Sequence, residues 1–129
     1  MQLWRFLCYL QFSILLVIYG FFGLTGEPGN YIHLFNDKLM HCGGYIVAGF
    51  SISFAFPFWK NSWRTLFLIG FSIGIEIGQH FLPPRTFDIY DIAANSIGVI
   101  LGIIIIEFLQ IKMAWLRKAL WHGIRIHKA

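Results

Sequence analysis

Four long apolar stretches follow one another along the chain, separated by short polar connections. Each covers about 18–20 residues, enough at about 1.5 Å per helical residue to cross a hydrocarbon layer of about 30 Å. The second and third contain more polar residues than the first and fourth. The pattern predicts an all-α protein with one domain over residues 1–129 and four transmembrane helices, at about Phe6–Leu24, Leu39–Phe58, Thr65–Leu82 and Ile92–Leu109.

A basic tail, residues 111–129, follows the fourth stretch. In helical spacing, Met113, Leu116, Leu120 and Ile124 share one face, and the basic residues lie largely on the others. Such a segment is typical of a helix that lies flat on an anionic membrane surface. The tail therefore predicts an interfacial C-terminal helix.

Composition supports the membrane class. The chain is 57% hydrophobic and 12% charged, whereas soluble domains contain about 25% charged residues. The first stretch is too long for a signal peptide and has only Arg5 as its basic flank, so we predict a retained helix. Cys8 and Cys42 are predicted near opposite membrane faces, too far apart for a disulfide.

The distribution of basic residues predicts the orientation. Cytoplasmic loops of membrane proteins are enriched in Lys and Arg, so both termini are expected inside and only Lys38 and Arg85 outside. All five Trp residues fall on the same inner side. The net charge of +4 then reflects topology and attraction to anionic lipid, which argues against nucleic acid as a partner. The expected inner residues are Arg5, Lys60, Arg64, Lys112, Arg117, Lys118, Arg125 and Lys128.

In this topology the remaining polar residues gather at the outer end of the bundle. They come from three helices and one loop, and helical spacing puts those of each helix on one face. A set of nine is expected there: Asp37, Lys38, His41, Glu76, Gln79, Arg85, Asp88, Asp91 and Asn95.

The third helix has two distinct faces. Ser72, Glu76 and Gln79 form a polar stripe that is expected to point at the second and fourth helices. Gly70, Gly74 and Gly78 form a small-residue stripe on roughly the opposite side. Because such stripes let helices approach closely in lipid, this face is expected to pack on the first helix or on a second copy in a homodimer.

Several of these polar residues also have purely structural interpretations. Asp37 and Asp91 stand at helix N-termini and can act as caps. Lys38 can extend to the membrane interface, and Asn95 can bridge two helices. Glu107 is expected to pair with the basic tail. Glu76 is different, because a carboxylate about 9 Å inside the membrane boundary is costly and is by default a functional candidate.

The polar residues and their spacing resemble the VanZ-like family of bacterial membrane proteins. The resemblance rests on D37-K-L-M-H41, E76-I-G-Q79 and P84-R-T-F-D-I-Y-D-I-A-A-N-S-I-G98, within about Asp37 to Gly102. It implies a multi-pass protein of the bacterial cytoplasmic membrane with its polar site facing outward. The founding member is associated with low-level resistance to teicoplanin and related lipoglycopeptides, which implies a role in the cell envelope and no established reaction.

Two functional hypotheses follow. In the first, a membrane enzyme acts on a lipid-linked cell-wall precursor or a phospholipid head group, and a divalent cation is a candidate cofactor. In the second, the same residues form a non-catalytic module that binds an envelope lipid, an antibiotic or a partner protein. A transporter is a weaker alternative, because four helices leave little room for alternating access. In the enzyme hypothesis, Glu76 and His41 form the acid/base pair, and Asp88 and Asp91 hold a cation or orient other groups. Lys38 and Arg85 bind a phosphate or carboxylate of the substrate. The other predicted binding residues are Asp37, Gln79 and Asn95.

Overall fold

The computed structural model describes residues 2–25, 34–83 and 86–124, and these residues form five helices. They contain no β-strand, which confirms the all-α prediction for the described part of the chain. Four of the helices correspond to the four apolar stretches, with ends shifted by a few residues. The helices are α1 (Leu3–Thr25), α2 (Leu34–Ala55), α3 (Asn61–His80), α4 (Ile89–Lys112) and α5 (Ala114–Trp121).

Two helices, α1 and α4, are by length and composition apolar enough to cross a membrane, with mean hydropathies of 2.0 and 2.3. The sequence predicted four such helices. The polar residues of α2 and α3 lower their hydropathy, and many of them are buried against other helices: Ser51, Ser53, Arg64, Ser72, Glu76 and Gln79 are each at most 6% exposed. Large apolar side chains cover the outside of α1 and α4.

The closest helix contact lies between α2 and α4. A Cβ added to Gly98 would lie 2.3 Å from the Cys42 carbonyl oxygen, and one added to Gly102 would lie 2.5 Å from that of Ile46. These two glycines continue the helical face that carries Asp91 and Asn95. Glycine at both positions therefore brings the polar faces of α2 and α4 together.

The small-residue stripe of α3 packs only in part. Gly78 lies against Leu24 of α1, whereas a Cβ added to Gly70 or Gly74 would meet no atom of the described residues within 4 Å. On the other side of α3, Leu68 belongs to a core shared with α1, α2 and α4. That core contains Phe12, Tyr45, Ala48, Ile52, Ala55, Leu68, Val99 and Ile103.

Two buried arginines bind backbone carbonyls at the end of α2. Arg5 donates to the carbonyls of Ala55 (3.0 Å), Phe54 and Leu120 (2.7 Å). Arg64 donates to those of Pro57 (3.1 Å) and Trp59 (2.9 Å). Because the last carbonyls of a helix have no partner within the helix, Arg5 acts as a C-terminal cap of α2, whereas Arg64 binds the turn that follows this helix.

The sequence analysis predicted that Glu107 pairs with the basic tail, but among the described residues its partners lie in α3 and α4. Its Oε1 accepts a bond from Arg64 Nη1 at 3.1 Å, and its Oε2 accepts one from Gln110. Arg64 is buried near the start of α3, where its charge needs an anionic partner within the bundle. Arg64 therefore forms the ion pair with Glu107 that the sequence analysis had predicted for the basic tail.

The tail helix α5 also differs from the prediction. Leu116 and Leu120 are buried against Ile106 of α4, and Phe50 and Phe54 of α2 pack on the same group. The apolar face of α5 thus turns toward the bundle, because α4 ends beside it at Met113 and the chain turns back. Met113 is 40% exposed, and the tail residues 125–129 lie outside the described part.

Candidate functional site: an ion-pair cluster beside an amphipathic cavity

Lys38 is the centre of a group of ion pairs at one end of the bundle. Its Nζ lies 2.6 Å from Asp88 Oδ2 and 3.6 Å from Asp37 Oδ2, and it also contacts Asp91 Oδ1. The first turns of α2 and α4 bring these residues together, as the sequence predicted. We call Asp37, Lys38, His41, Asp88 and Asp91 the ion-pair cluster. Lys38 therefore does more than extend to an interface, because its ammonium joins α2 to the start of α4.

Asp88 links the cluster to the start of α4. As the N-cap residue, its side chain accepts a hydrogen bond from the Tyr90 backbone N–H at 2.8 Å. The hydrogen bond from Lys38 is the main cause that lowers the pKa of the Asp88 carboxyl below its ordinary value of 3.8, although partial burial acts in the opposite direction. Asp88 is consequently ionised at neutral pH. Its cap was not predicted; the sequence analysis assigned capping to Asp91.

Glu76 lies behind the cluster, on the polar face of α3. It is only 1% exposed, and its Oε2 accepts a hydrogen bond from the Asp88 backbone N–H at 3.2 Å. Among the described residues one backbone N–H donates to this carboxylate, and one such bond compensates little of the cost of its burial. Glu76 is thus the most deeply buried acidic side chain in the described part of the chain, as its place in an apolar run predicted.

His41 is held by a chain of side chains from α4 and α3. Its Nδ1 lies 3.0 Å from Asn95 Oδ1, and Asn95 Nδ2 donates to Ser72 Oγ at 2.7 Å. Since Asn95 uses its amide nitrogen toward Ser72, its oxygen faces the ring, and His41 Nδ1 must carry the proton. The other ring nitrogen, Nε2, then faces Asp37 Oδ1 at 3.7 Å and Asp91 Oδ2 at 3.6 Å. Asn95 bridges helices, as one interpretation had it, and also orients His41.

A cavity of about 390 Å³ opens beside the ion-pair cluster, between α1, α2 and α3. We call it the site cavity. One side of it is polar, and the other is apolar and comes largely from α1 and from Met40 and Ile75. The lining residues are Ile18, Tyr19, Phe22, Gly23, Asp37, Met40, His41, Gly44, Tyr45, Ile75, Glu76, Gln79 and Asn95. Glu76 and His41, the predicted acid/base pair, face the same cavity without a direct hydrogen bond between them among the described contacts.

The remaining predicted site residues have different positions. Gln79 lines the site cavity, but its Nε2 donates to the Gly23 carbonyl of α1 at 2.7 Å. Arg85 lies outside the described residues. The contribution of α1 was missed: Tyr19 donates to the Gly44 carbonyl at 2.6 Å and forms part of the cavity wall. A tyrosine inside an otherwise apolar helix was the available signal, because a buried hydroxyl needs a partner.

Three side chains of the cluster have the composition of a metal site. One ligand atom each from Asp37, His41 and Asp91 lies within 4.8 Å of the other two. Carboxylate oxygen and imidazole nitrogen are ligands that Zn²⁺ and Mn²⁺ accept. Asp91 was predicted as a cation-holding group and belongs to this triad; Asp88, predicted with it, points at Lys38 instead.

The fold and the site define a helical protein with membrane-helix character, in which a buried carboxylate and an ion-pair cluster share one end of the bundle. The family model described as VanZ/LLP1 matches residues 6–110, and the chain belongs to this family. The match includes most of α1 and most of α4, more than the segment on which the resemblance rested. Searches of curated proteins and of solved structures give no match.

Proposed function

We propose that this chain is a multi-pass protein of the bacterial cytoplasmic membrane that acts on the polar head group of a membrane lipid or of a lipid-linked cell-wall precursor. The site cavity carries this proposal. Its apolar wall, which includes Ile18, Phe22 and Met40, suits an acyl or prenyl chain, and Glu76 and His41 lie where the head group would follow.

The membrane topology in this proposal has four spanning helices, with both termini on the cytoplasmic side. It is supported by the excess of Lys and Arg at the end of the bundle that carries Lys60, Arg117 and Lys118. The site cavity and the ion-pair cluster lie at the other end, which then faces the outside. Lipid-linked wall precursors and the targets of lipoglycopeptides are exposed on that side, so the protein is proposed to alter susceptibility to these drugs.

The proposed chemistry is proton transfer by Glu76. A carboxyl group that is 1% exposed and borders a cavity can give or take a proton without competition from bulk water. His41 faces the same cavity and is the second acid/base group. Lys38 holds Asp88 and Asp91 in place and leaves the cavity side of the cluster negatively charged.

A binding module without catalysis is the second candidate. It is favoured because the charged and polar side chains of the site already bind one another. Lys38 is bound to three carboxylates, and His41 contacts Asn95, which in turn donates to Ser72. Such a network fixes the helices relative to one another and shapes a recognition pocket without any reaction.

The substitution Glu76→Gln separates the two candidates, because it keeps the shape and removes the acid/base group. In a deletion strain complemented with Glu76→Gln, we expect the lipid and wall-precursor profile of the deletion, measured by mass spectrometry of membrane extracts. Glu107→Gln is the matched control at the opposite end of the bundle: it also removes a carboxylate charge, from the ion pair with buried Arg64, so its cost is in stability and, at equal abundance, the profile should return to wild type.

Protein abundance in the membrane must be equal for the two variants. A wild-type profile with Glu76→Gln would rule out acid/base chemistry and favour the binding module. A deletion strain whose lipids and wall precursors equal those of the parent strain would rule out a lipid substrate.

A further inference from the structure

The Asp37–His41–Asp91 triad lies beside the site cavity, and one nitrogen or oxygen atom of each side chain faces the other two. We propose that it binds a divalent transition-metal ion, Zn²⁺ or Mn²⁺, through Asp37 Oδ1, His41 Nε2 and Asp91 Oδ2. This inference deepens the proposed function, since it places a Lewis acid at the site where the head group would bind.

The distances within the triad are the first argument. His41 Nε2 is 3.7 Å from Asp37 Oδ1 and 3.6 Å from Asp91 Oδ2, both longer than hydrogen bonds of about 2.7–3.2 Å. Ligands at about 2.0–2.2 Å from a tetrahedral Zn²⁺ are roughly 3.4 Å from one another. The observed spacing thus nearly matches a shared metal ion, whereas direct bonds between the three groups would require closer contacts.

The orientation of His41 is the second argument. With Nδ1 directed at the Asn95 oxygen, His41 directs its Nε2 at two carboxylate oxygens, the arrangement in which a metal ion between them would be bound by all three groups. Asn95 accepts the Nδ1 proton and is itself held by Ser72. Metal-binding histidines are typically oriented in this way by a partner on the other ring nitrogen.

Asp91 gives a third, separate argument. The residue is 9% exposed, and Lys38 binds its Oδ1, while its Oδ2 points into the triad with His41 Nε2 across the 3.6 Å gap. A metal ion at the centre of the triad would be bound by this Oδ2 while Lys38 keeps the other carboxylate oxygen.

Charge and ligand type indicate which ion fits. Among the described residues, the carboxylates of Asp37, Asp88 and Asp91 face the ammonium of Lys38, an excess of negative charge that a divalent cation would reduce. Lys38 binds the carboxylate oxygens that the triad does not use. An imidazole ligand favours Zn²⁺ or Mn²⁺ over Mg²⁺ and Ca²⁺, which prefer all-oxygen sites. Three protein ligands leave coordination positions open toward the site cavity.

Metal binding can be measured on the purified full chain in detergent, with the metal alone as the probe. After treatment with a chelator, we expect equilibrium dialysis against Zn²⁺ or Mn²⁺ to load about one ion per chain, and the thermal midpoint to rise with metal concentration. Mg²⁺ and Ca²⁺ at the same concentrations should leave the midpoint unchanged.

Two histidine variants decide whether the triad is the site. His41→Asn should reduce loading at least tenfold, whereas His80→Asn, an exposed histidine of α3, should bind like the wild type. Asp37→Asn tests a second ligand in a partly exposed position. Equal loading in wild type and His41→Asn, or none in the wild type, overturns the metal site. Neither result changes the expected lipid profile of the Glu76→Gln strain. The metal-site proposal can therefore be wrong while the proposed function is right, and the reverse.

Discussion

At the scale of single residues, the charged side chains of Glu76 and Lys38 have unusual environments. Glu76 is almost completely buried and receives one backbone hydrogen bond from Asp88. Lys38 is bound to three carboxylates. The sequence indicated Glu76 through the cost of a charge in an apolar run, and Lys38 through its predicted place at the outer end of the bundle. It could not indicate that Lys38 would hold Asp91, because that depends on how α2 and α4 cross.

The carboxyl of Asp88 allows a test of the ion-pair cluster by pH. Its pKa is lowered in the folded protein, so its contribution to stability is complete above the ordinary value of 3.8 and is lost as the pH falls through the lowered value. Asp88→Asn retains a good N-cap and removes the charge. We expect this variant to unfold about 1 kcal/mol more easily than the wild type at pH 7.

The measurement is thermal or denaturant unfolding in detergent between pH 7 and pH 3. The difference between wild type and Asp88→Asn should shrink only below about pH 4. A difference that stays constant down to pH 3 would mean that Asp88 stabilises the fold through its cap alone. Asn61→Asp, at the opposite end of the bundle, controls for a general effect of acidic groups.

At the scale of elements, the approach of α2 and α4 assembles the site. Asp37, Lys38 and His41 come from α2, and Asp91 and Asn95 from α4. Spacing predicted which residues share a face of each helix, and the structure confirms this for both. Spacing did not reveal that Gly98 and Gly102 form the tightest contact. The glycines of α3 have the more regular repeat, yet a Cβ added to Gly70 or Gly74 meets no atom of the described residues within 4 Å.

The α2–α4 contact can be tested by adding one methyl group. Gly98→Ala places a Cβ 2.3 Å from the Cys42 carbonyl oxygen, so the helices must separate, and we expect a loss of about 1–3 kcal/mol in unfolding free energy. Gly43→Ala, next to Cys42 on α2, meets no atom within 4 Å and is the control. Both are measured by thermal unfolding in detergent, and equal midpoints for the two variants would contradict the packing argument.

At the scale of the whole molecule, the two ends of the bundle differ in kind. One holds the ion-pair cluster and the site cavity, and the other holds Arg5, Arg64 and α5 in a network of capped carbonyls. Lysine and arginine counts predicted basic residues at the second end, but they could not distinguish buried caps from exposed charges. The caps depend on where α2 ends and α5 returns, which no local pattern encodes.

Association of two copies is the remaining proposal at this scale. Gly70 and Gly74 present an open small-residue face on α3, where a second copy could pack. In a background with Cys8 and Cys42 replaced by Ala, we expect Gly74→Cys to form a disulfide-linked dimer in membranes under mild oxidation. Ile104→Cys, exposed on α4, should remain monomeric. Equal crosslinking of both variants would indicate random collision and no homodimer.

The Arg5 network has a consequence for how the protein is made. Trp4 Nε1 donates to the Ala119 carbonyl at 2.8 Å, and Arg5 donates to that of Leu120, across 115 positions of sequence in each case. During synthesis α1 leaves the ribosome long before these carbonyls exist. Until α5 emerges, the Arg5 guanidinium of the nascent chain therefore has only the α2 carbonyls of Phe54 and Ala55 among these partners, and the bundle closes at this end only after translation of nearly all of the described residues.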